Sequence, residues 1–229
     1  MAELRTMLLE RGAALVGYGD LHDVPAQARD GMPFGLSIAV ALDPAIVASL
    51  RDGPSQEYFA EYKHVNARLN GLSRMAEEFL RADGHEATAL AATDVDIDPE
   101  THSTRLPHKT VATRAGLGWI GKCALLITEQ FGAGVRLTTV LTDAVLPVGR
   151  PVDESRCGDC VACVEACPGH AGSGRDWQLG SHRDDFFDVF ACRRTASKRA
   201  AAAGIDETIC GICIAACPWT QKYLERSGI

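Results

Sequence analysis

Cys157-Gly-Asp-Cys160-Val-Ala-Cys163-Val-Glu-Ala-Cys167-Pro168 is the stretch that decides the fold of the last third of this 229-residue chain. A second block, Cys210-Gly-Ile-Cys213-Ile-Ala-Ala-Cys217-Pro218, repeats the pattern with one cysteine fewer, and Cys192 lies between the two blocks. Cysteines spaced by two residues bring three thiolates into one tight loop, and the proline after the last cysteine turns the chain. The pattern therefore indicates ligation of iron by sulfur.

The first block has the C-x₂-C-x₂-C-x₃-C-P spacing of bacterial ferredoxins with two clusters, in which the fourth cysteine of each run ligates the other cluster. Applied to this chain, the crossed pattern predicts two [4Fe–4S] clusters, with Cys192 replacing the cysteine that the second block lacks. The predicted ligands are Cys157, Cys160, Cys163 and Cys217 for the first cluster, and Cys167, Cys192, Cys210 and Cys213 for the second. Since each block serves both clusters, we expect this domain to need its clusters to fold.

Two alternatives concern the cysteines. Eight of them could form two structural zinc sites of four thiolates each, but zinc motifs require neither the third cysteine at this spacing nor the proline. Cys123 is left over, and we interpret it as a small buried hydrophobe because free cysteine is among the most buried residue types. The preceding Lys122 could instead lower the pKa of its thiol and make it reactive.

Composition narrows the class of protein. Hydrophobic residues make up 46% of the chain and the formal net charge is -7, which fits a globular protein without a general nucleic-acid-binding surface. The first 20 residues lack the apolar run of a signal peptide, and no segment has the roughly 18 apolar residues of a membrane span. We therefore expect a cytoplasmic protein with no membrane contact, in which cysteines stay reduced and serve as ligands.

Apolar periodicity predicts an α+β chain with a boundary at a proline-containing linker, residues 145–153. We expect an α/β domain over residues 1–150 that binds cofactor and substrate, and a small cluster domain over 151–229. Helices are predicted over 2–11, 44–50, 56–81, 108–115 and 188–203, and strands over 13–18, 36–42, 87–92, 124–128 and 135–142. The last two strands would form a hairpin through residues 131–134, and residues 93–107 would be irregular.

A family resemblance rests on Arg114-Ala-Gly-Leu-Gly-Trp-Ile-Gly-Lys122, the apolar strand after it, the first cysteine block and Cys217-Pro-Trp219. With these motifs the chain resembles the epoxyqueuosine reductases, which are related to the reductive dehalogenases, over about residues 55–225. The resemblance implies a nitroreductase-like α/β domain followed by a ferredoxin-like domain, with base-off cobalamin and two [4Fe–4S] clusters as cofactors. The clusters would reduce the cobalt to Co(I), which removes oxygen from an epoxide or halogen from an organohalide.

The resemblance also assigns roles to residues. Glu61, followed by Tyr62, stands where the family has its proton-donating aspartate, although a carboxylate is also favoured in any first helical turn. The predicted cofactor-binding residues are His108, Lys109, Arg114, Gly116, Gly118, Trp119 and Lys122. Each has an ordinary alternative: polar residues at a helix start, glycines that only make a turn, or a tryptophan buried in the core.

These residues together predict an iron–sulfur oxidoreductase that passes electrons through two clusters to a corrinoid for a reductive reaction. The alternatives are a flavin in the same fold, a pure electron carrier, or a protein that binds and activates corrinoid. The chain ends a dozen residues after Cys217, where the family carries a helical-repeat domain that helps to hold tRNA, so we do not expect tRNA as the substrate. Arg193, Arg194, Lys198 and Arg199 form a basic helical face that is either simply solvated or docks RNA or an acidic donor of the ferredoxin or flavodoxin type.

Overall fold

The computed structural model of the chain describes residues 1–93 and 97–229, so part of the stretch predicted to be irregular lies outside the described residues. The helices are α1 (Ala2–Glu10), α2 (Pro44–Ser49), α3 (Gln56–Ala82), α4 (His108–Arg114), α5 (Ala162–Glu165), α6 (Val189–Ala202), α7 (Ile212–Ala216) and α8 (Pro218–Arg226). The strands are β1 (Leu15–Asp20), β2 (Phe34–Ala41), β3 (Ala87–Ala89), β4 (Trp119–Ile120), β5 (Leu126–Ile127) and β6 (Val135–Thr142). The predicted mixture of helices and strands is confirmed.

The described residues form two compact units. Unit 1 comprises residues 1–41, 65–118 and 136–152, and unit 2 comprises residues 42–64, 119–135 and 153–229. Residues 42–64 and 119–135 come from the predicted first domain, yet they lie in the unit that contains the cysteine blocks. Specific contacts hold them there: the hydroxyl of Tyr223 donates to the carbonyl of Leu42 at 2.8 Å, and the rings of Trp119 and Trp219 pack edge to face.

Unit 1 is built on a four-stranded sheet in the order β1-β2-β6-β3. Strands β1 and β2 are antiparallel, with Leu15 opposite Ala39, and β3 is antiparallel to β6. The predicted apolar strand is confirmed, since β2 is buried along its whole interior, as expected of a strand covered on both faces. Helix α4 packs against β1 and β2, and its Val111 belongs to a buried cluster with Leu141.

The predicted hairpin between the strands at residues 124–128 and 135–142 is wrong. Strand β5 pairs with β4 instead, with Trp119 opposite Ile127, whereas β6 is an interior strand of the sheet in unit 1. The glycine-containing segment does form a turn, in which the N–H of Gly134 donates to the carbonyl of Phe131. The prediction failed because β4 is only two residues long, too short to give a sequence pattern, although its pairing decides the place of β5.

Unit 2 combines the short β4–β5 hairpin with helices. Helix α7 packs against α5, α8 and the 3₁₀ helix Leu50–Asp52, and α2 packs against α8. Helix α6 was predicted over residues 188–203 and begins after Asp188, whose carboxylate caps it by accepting from the N–H of Ala191. Within the described residues, no helix combines the length and the apolar character needed to cross a membrane.

Candidate iron–sulfur centre

The four predicted ligands of the first cluster line one cavity in unit 2. The cavity has a volume of about 70 Å³. Its lining includes the four cysteines of the first predicted set, together with Gly121, Lys122, Cys123, Ile127, Pro218 and Trp219. Four thiols around one space, contributed by both cysteine blocks, match the donor set of a [4Fe–4S] cluster. The residues of this cavity therefore fit the group that their spacing predicts.

Local backbone structure explains how the two blocks reach this cavity. In the first block, the N–H of Cys160 donates to the carbonyl of Cys157 at 3.1 Å, so the loop closes as a tight turn, and α5 then carries Cys163. In the second block, Cys217 is the N-cap of α8 in an extended conformation, and Pro218 occupies the first helical turn. Proline suits that position because its missing N–H would have no partner in the helix. The Cys-Pro pair thus ends one segment and starts the next.

Three cysteines of the second predicted set lie close together, one of them on α6. The thiol of Cys192 is close enough to Cys167 and Cys210 to interact electrostatically with both. Cys213 lies on α7, whereas Cys210 precedes the helix. Gly211 stands between them, and its φ of 90° lets the chain turn into α7. Cys192 stands on a different helix from both blocks, yet the structure places it with the cysteines to which the crossed pattern assigned it.

In the absence of metal, burial shifts the titration of these thiols. Burial, with smaller contributions from Cys167 and Cys210, raises the pKa of Cys192 to about 11. Burial also raises the pKa of Cys217, and a hydrogen bond with the Cys123 thiol, together with burial, raises the pKa of Cys163 well above its usual range. These groups are therefore neutral thiols at neutral pH, and a cluster must displace their protons when it binds.

The side chains that line the cavity are not arranged as the ligands of a single metal ion. Among residues 1–93 and 97–229, no three His, Cys, Asp or Glu side chains are arranged to hold a single metal ion. Each cysteine of a cubane binds a different iron atom, so its four sulfurs stand further apart than the ligands of one ion.

The β4–β5 hairpin delivers two further side chains to the cavity. The N–H of Gly121 donates to the carbonyl of Leu125 at 2.9 Å, so Lys122 and Cys123 occupy the turn between the strands. A Cβ on Gly121 would lie 2.8 Å from Ile127 and 3.6 Å from the sulfur of Cys157, so only glycine fits here without movement of its neighbours. The predicted importance of this glycine-containing motif thus has a structural basis in unit 2.

Cys123 is buried, as predicted, but its neighbours were not predicted. Its thiol is within hydrogen-bonding range of Cys163, from the first set, and of Cys213, from the second. The hydrogen bond with Cys163 lowers the pKa of Cys123, but its interactions with Cys213 and burial outweigh this, so the net shift is upward. The suggestion that Lys122 activates this thiol is therefore not supported. No spacing rule could have placed Cys123 here, since it precedes both blocks.

Three of the predicted cofactor-binding residues hold unit 1 together. One ring nitrogen of His108 lies 2.9 Å from Oγ1 of Thr139, and the other lies 2.9 Å from the carbonyl of Ala91. Arg114 is 4% exposed and donates to the carbonyl of Val152 at 2.8 Å. Gly116 has a φ of 73°, and a Cβ there would lie 2.5 Å from the carbonyl oxygen of Arg150. These contacts favour positioning roles for the three residues over direct contact with a cofactor.

The remaining predicted residues differ in accessibility. Lys109 is half-buried in the first turn of α4, and Gly118 is buried. Trp119 is fully buried in unit 2, where its ring packs edge to face on Trp219 at 5.1 Å, so the core alternative applies to its side chain. Its indole nitrogen has no hydrogen-bond partner among the described residues. A ring buried in this way cannot stack on a large planar ligand.

Glu61 lies in the second turn of α3, within unit 2. Its Oε1 accepts a hydrogen bond from the N–H of Asp43 at 3.0 Å, and its side chain is half-buried. The carboxylates of Asp43 and Glu61 both lie near the hydroxyl of Tyr223. Burial raises the pKa of Tyr223, and the two negative charges raise it further. A carboxyl group that is held but partly accessible is able to donate a proton.

Comparison with known proteins also identifies the segment with the two cysteine blocks as an iron–sulfur domain. Residues 156–220 match the family model of a 4Fe-4S double cluster binding domain. The chain is also similar to the epoxyqueuosine reductase of Synechococcus sp. strain RCC307, with 29% identity over 98% of this chain and 68% of that protein. It covers 43% or less of several other epoxyqueuosine reductases to which it is similar.

Solved structures with the same fold belong to two groups of proteins. One is an epoxyqueuosine reductase with a TM-score of 0.63 and 18% identity, over 96% of this chain and 65% of that one. Another is a reductive dehalogenase whose structure suggests a mechanism for B12-dependent dehalogenation, with a TM-score of 0.70 and 17% identity, over 98% of this chain and 33% of that one. At this level of identity the likeness establishes the fold.

Proposed function

We propose that the chain is an epoxyqueuosine reductase-like protein, a cytoplasmic reductase that passes electrons through two [4Fe–4S] clusters to a cobalamin. The proposal is supported above all by the four cysteines from two sequence blocks that line one cavity. A protein with only one structural zinc per block would not need the blocks to exchange ligands. The proximity of Cys192 to Cys167 and Cys210 supports the second cluster in the same way.

Two clusters are suited to relaying single electrons. Their ligands are split between the blocks, so binding of both clusters fixes α5, α6, α7 and the start of α8 relative to one another. A cubane changes its charge by one unit on reduction without rearranging its ligands, and the surrounding charges and hydrogen bonds set its potential. Cys123, in contact with both predicted sets, lies between the two cluster positions.

The cobalamin is inferred from the relatives and from the wider resemblance of the sequence. When bound, it would supply a cobalt centre that is reduced to Co(I) and cleaves a carbon–oxygen or carbon–halogen bond. Lys109 and the backbone at Gly118 are the candidates to hold it, while His108, Arg114 and Gly116 position α4 and the loop that follows. A nitroreductase-like architecture for unit 1 is part of the same proposal.

Glu61 is the proposed proton donor. Reductive removal of an epoxide oxygen or of a halogen needs a proton for the carbon or for the leaving group, and a carboxyl group in reach provides it. The hydrogen bond from the N–H of Asp43 engages one oxygen of Glu61 and orients the carboxyl group. The bound oxygen would accept while the other oxygen carries the proton.

The proposed electron donor is a small acidic protein of the ferredoxin or flavodoxin type. Arg193, Arg194 and Lys198 are exposed on α6, directly after Cys192 of the second set. Arg199 is different, because its guanidinium donates to the carbonyl of Asp52 within unit 2. A positive face beside one cluster would attract an acidic partner and orient it for electron transfer.

The test is anaerobic purification followed by loading with iron, sulfide and cobalamin. We expect about eight iron and eight sulfide per chain, as two cubanes require. Binding of cobalamin should give a Co(II) signal in electron paramagnetic resonance, and reduced protein should then turn over an epoxide or an organohalide. An epoxyqueuosine-containing tRNA stem loop should be among the compounds tested as substrates, because the relatives are named for that nucleoside.

Each other outcome of this experiment would indicate a different cofactor or a different function for the chain. Bound zinc without sulfide would disprove the assignment of iron–sulfur clusters. Flavin absorbance without corrinoid binding would show that the cofactor is a flavin and not cobalamin. Clusters that are reduced and reoxidised without either cofactor would indicate a pure electron carrier. Bound cobalamin without turnover of any substrate class would indicate a protein that binds or activates corrinoid.

A further inference from the structure

Lys122 is a buried cation in the turn of the β4–β5 hairpin. Only 5% of its side chain is exposed, and it lines the same cavity as the four cysteines of the first set. Its Nζ donates to the carbonyl of Gly158 at 2.5 Å, inside the loop that joins Cys157 to Cys160. Its carboxylate neighbour, Asp176, is 3.8 Å away and its side chain is 42% exposed.

This environment does not compensate a buried ammonium by itself. Removing a charge from water is costly unless the charge is paired and hydrogen-bonded. Among the described residues, Lys122 has one carbonyl partner and one carboxylate neighbour. The carboxylate lies beyond hydrogen-bond distance and is partly screened by water, so part of the donor capacity of Lys122 is unused. A [4Fe–4S] core with four thiolates carries a net negative charge, and it would provide the missing partner inside the cavity.

The geometry points to Lys122 as the residue that sets the reduction potential of the first cluster, by stabilising its reduced form electrostatically. This inference rests on the proposed binding of a cluster by Cys157, Cys160, Cys163 and Cys217. Reduction adds one electron to the cluster, taken from a low-potential donor, and no covalent bond forms or breaks. The cluster becomes more negative by one unit, so a fixed positive charge nearby favours the reduced state and raises the potential.

Asp176 acts in the opposite direction on the same cluster. Its carboxylate attenuates the field of Lys122, since the two charges lie 3.8 Å apart. Its effect is smaller than that of Lys122 because water reaches a large part of its side chain. The pair therefore predicts two shifts of opposite sign from two neutralising substitutions, which a purely structural role for Lys122 does not.

The hydrogen bond to Gly158 offers the structural alternative, in which Lys122 only anchors the ligand loop. Lys122→Met removes the charge and the donor, Lys122→Gln removes the charge but keeps a donor, and Lys122→Arg keeps both. The matched control is Lys222→Met, which removes an exposed lysine that lies 4.4 Å above the ring of Trp219, itself part of the cavity lining. All four variants change one residue of unit 2.

The experiment is a redox titration of each anaerobically reconstituted variant, followed by electron paramagnetic resonance of the reduced clusters. Lys122→Met and Lys122→Gln should each make reduction of one cluster about tenfold less favourable, which is about 59 mV for a one-electron couple, and leave the other cluster unchanged. Lys122→Arg and Lys222→Met should stay close to the unmodified protein. Asp176→Asn should shift the same cluster to a higher potential, by less.

Failure of this inference can be told apart from failure of the proposed function. If the unmodified protein assembles no [4Fe–4S] clusters, the proposed function is wrong. If both clusters assemble and the potentials of Lys122→Gln and Asp176→Asn match that of the unmodified protein, the electrostatic role of Lys122 is wrong. A shift in Lys122→Met that Lys122→Gln does not show would reduce its role to anchoring the loop at Gly158.

Discussion

The backbone N–H of Asp43 donates a hydrogen bond to Oε1 of Glu61 across 3.0 Å, joining the start of α2 to the second turn of α3. The side chain of Asp43 caps α2 at the same time, by accepting from the N–H groups of Ala45 and Ile46. Glu61 therefore has one oxygen fixed by the backbone and one oxygen left for other chemistry. Substitutions of Glu61 can therefore distinguish a purely structural role of its carboxyl group from proton donation.

Glu61→Gln should slow turnover strongly without disturbing the clusters. The amide oxygen can still accept from the N–H of Asp43, so the local structure is retained, but the amide cannot release a proton. We expect the rate of the reductive reaction to fall by about 10² to 10⁴, the usual contribution of a general acid. The measurement is turnover at equal iron, sulfide and cobalamin content.

Glu57→Gln is the matched control for this prediction, because Glu57 lies one turn earlier on α3 and is exposed. Its turnover should equal that of the unmodified protein. Glu61→Asp keeps the proton on a shorter side chain and should recover part of the activity that Glu61→Gln loses. Full activity in Glu61→Gln would exclude Glu61 as the donor.

Cys192→Ser should lose one cluster, whereas Cys123→Ser should keep both. Cys192 lies outside the two blocks and beside Cys167 and Cys210, so its loss removes one of the four predicted ligands of the second cluster. Cys123 contacts Cys163 and Cys213, but each predicted cluster already has four ligands without it. Iron and sulfide should fall to about four each in Cys192→Ser and stay near eight in Cys123→Ser.

Retention of both clusters in Cys192→Ser would overturn the ligand assignment, and loss of one in Cys123→Ser would make Cys123 a ligand. A serine oxygen can sometimes substitute for a thiolate, so Cys192→Ala is the stricter variant. Cys192→Ala and Cys123→Ala together decide which of the cysteines outside the blocks serves the second cluster.

The cluster cysteines could be predicted because ligation requires fixed local spacing, which is written directly in the sequence. The crossed assignment of Cys217 to the first set was predicted in the same way, and the cavity contains it. The long periodic helix α3 and the apolar strand β2 were predictable because burial repeats along them at the helical and strand periods.

Tertiary placement was not predictable from the same patterns. The pairing of β5 with β4 depends on a strand of two residues, and the position of Cys123 and Lys122 depends on that hairpin. Asp176 was missed because it lies outside every motif and matters only through its distance from Lys122. Likewise, nothing in the sequence around His108 indicates that both its ring nitrogens are used within unit 1.

Gly116→Ala should destabilise the protein, in contrast to Gly71→Ala. Gly116 has a left-handed φ of 73°, and a methyl group there would lie 2.5 Å from a backbone carbonyl oxygen, that of Arg150. The conformation alone costs a non-glycine residue about 1–2 kcal/mol, and the contact adds to it. Gly71 lies inside α3 with open space around it, so alanine should stabilise by about 0.5–1 kcal/mol.

Thermal unfolding of the cluster-loaded protein measures this pair of variants. For a chain of this size, 1 kcal/mol corresponds to about 2–4 °C in the unfolding midpoint, so the two variants should move it in opposite directions. An unchanged midpoint in Gly116→Ala would show that the segment around Arg150 moves away at little cost. The glycine would then be needed for something other than its turn.

Reversing the charge of the α6 face should slow electron entry from a protein donor but not from a small reductant. Arg193, Arg194 and Lys198 are exposed beside Cys192, so Arg193→Glu/Arg194→Glu/Lys198→Glu would repel an acidic flavodoxin or ferredoxin. We expect the association rate at low salt to fall by at least about tenfold, because electrostatic steering accelerates association by that factor or more. Stopped-flow reduction of the clusters measures this rate.

Dithionite is the control reductant, since it needs no docking surface and should reduce the triple variant as it reduces the unmodified protein. Salt is the second control: raising it should slow reduction of the unmodified protein by its donor and speed reduction of the variant, because salt screens the attraction in the first case and the repulsion in the second. Lys63→Glu reverses an exposed charge on a different helix, α3, and should leave the rate unchanged. If the triple variant accepts electrons from the protein donor as fast as the unmodified chain at low salt, the basic face is simply solvated and the donor docks elsewhere.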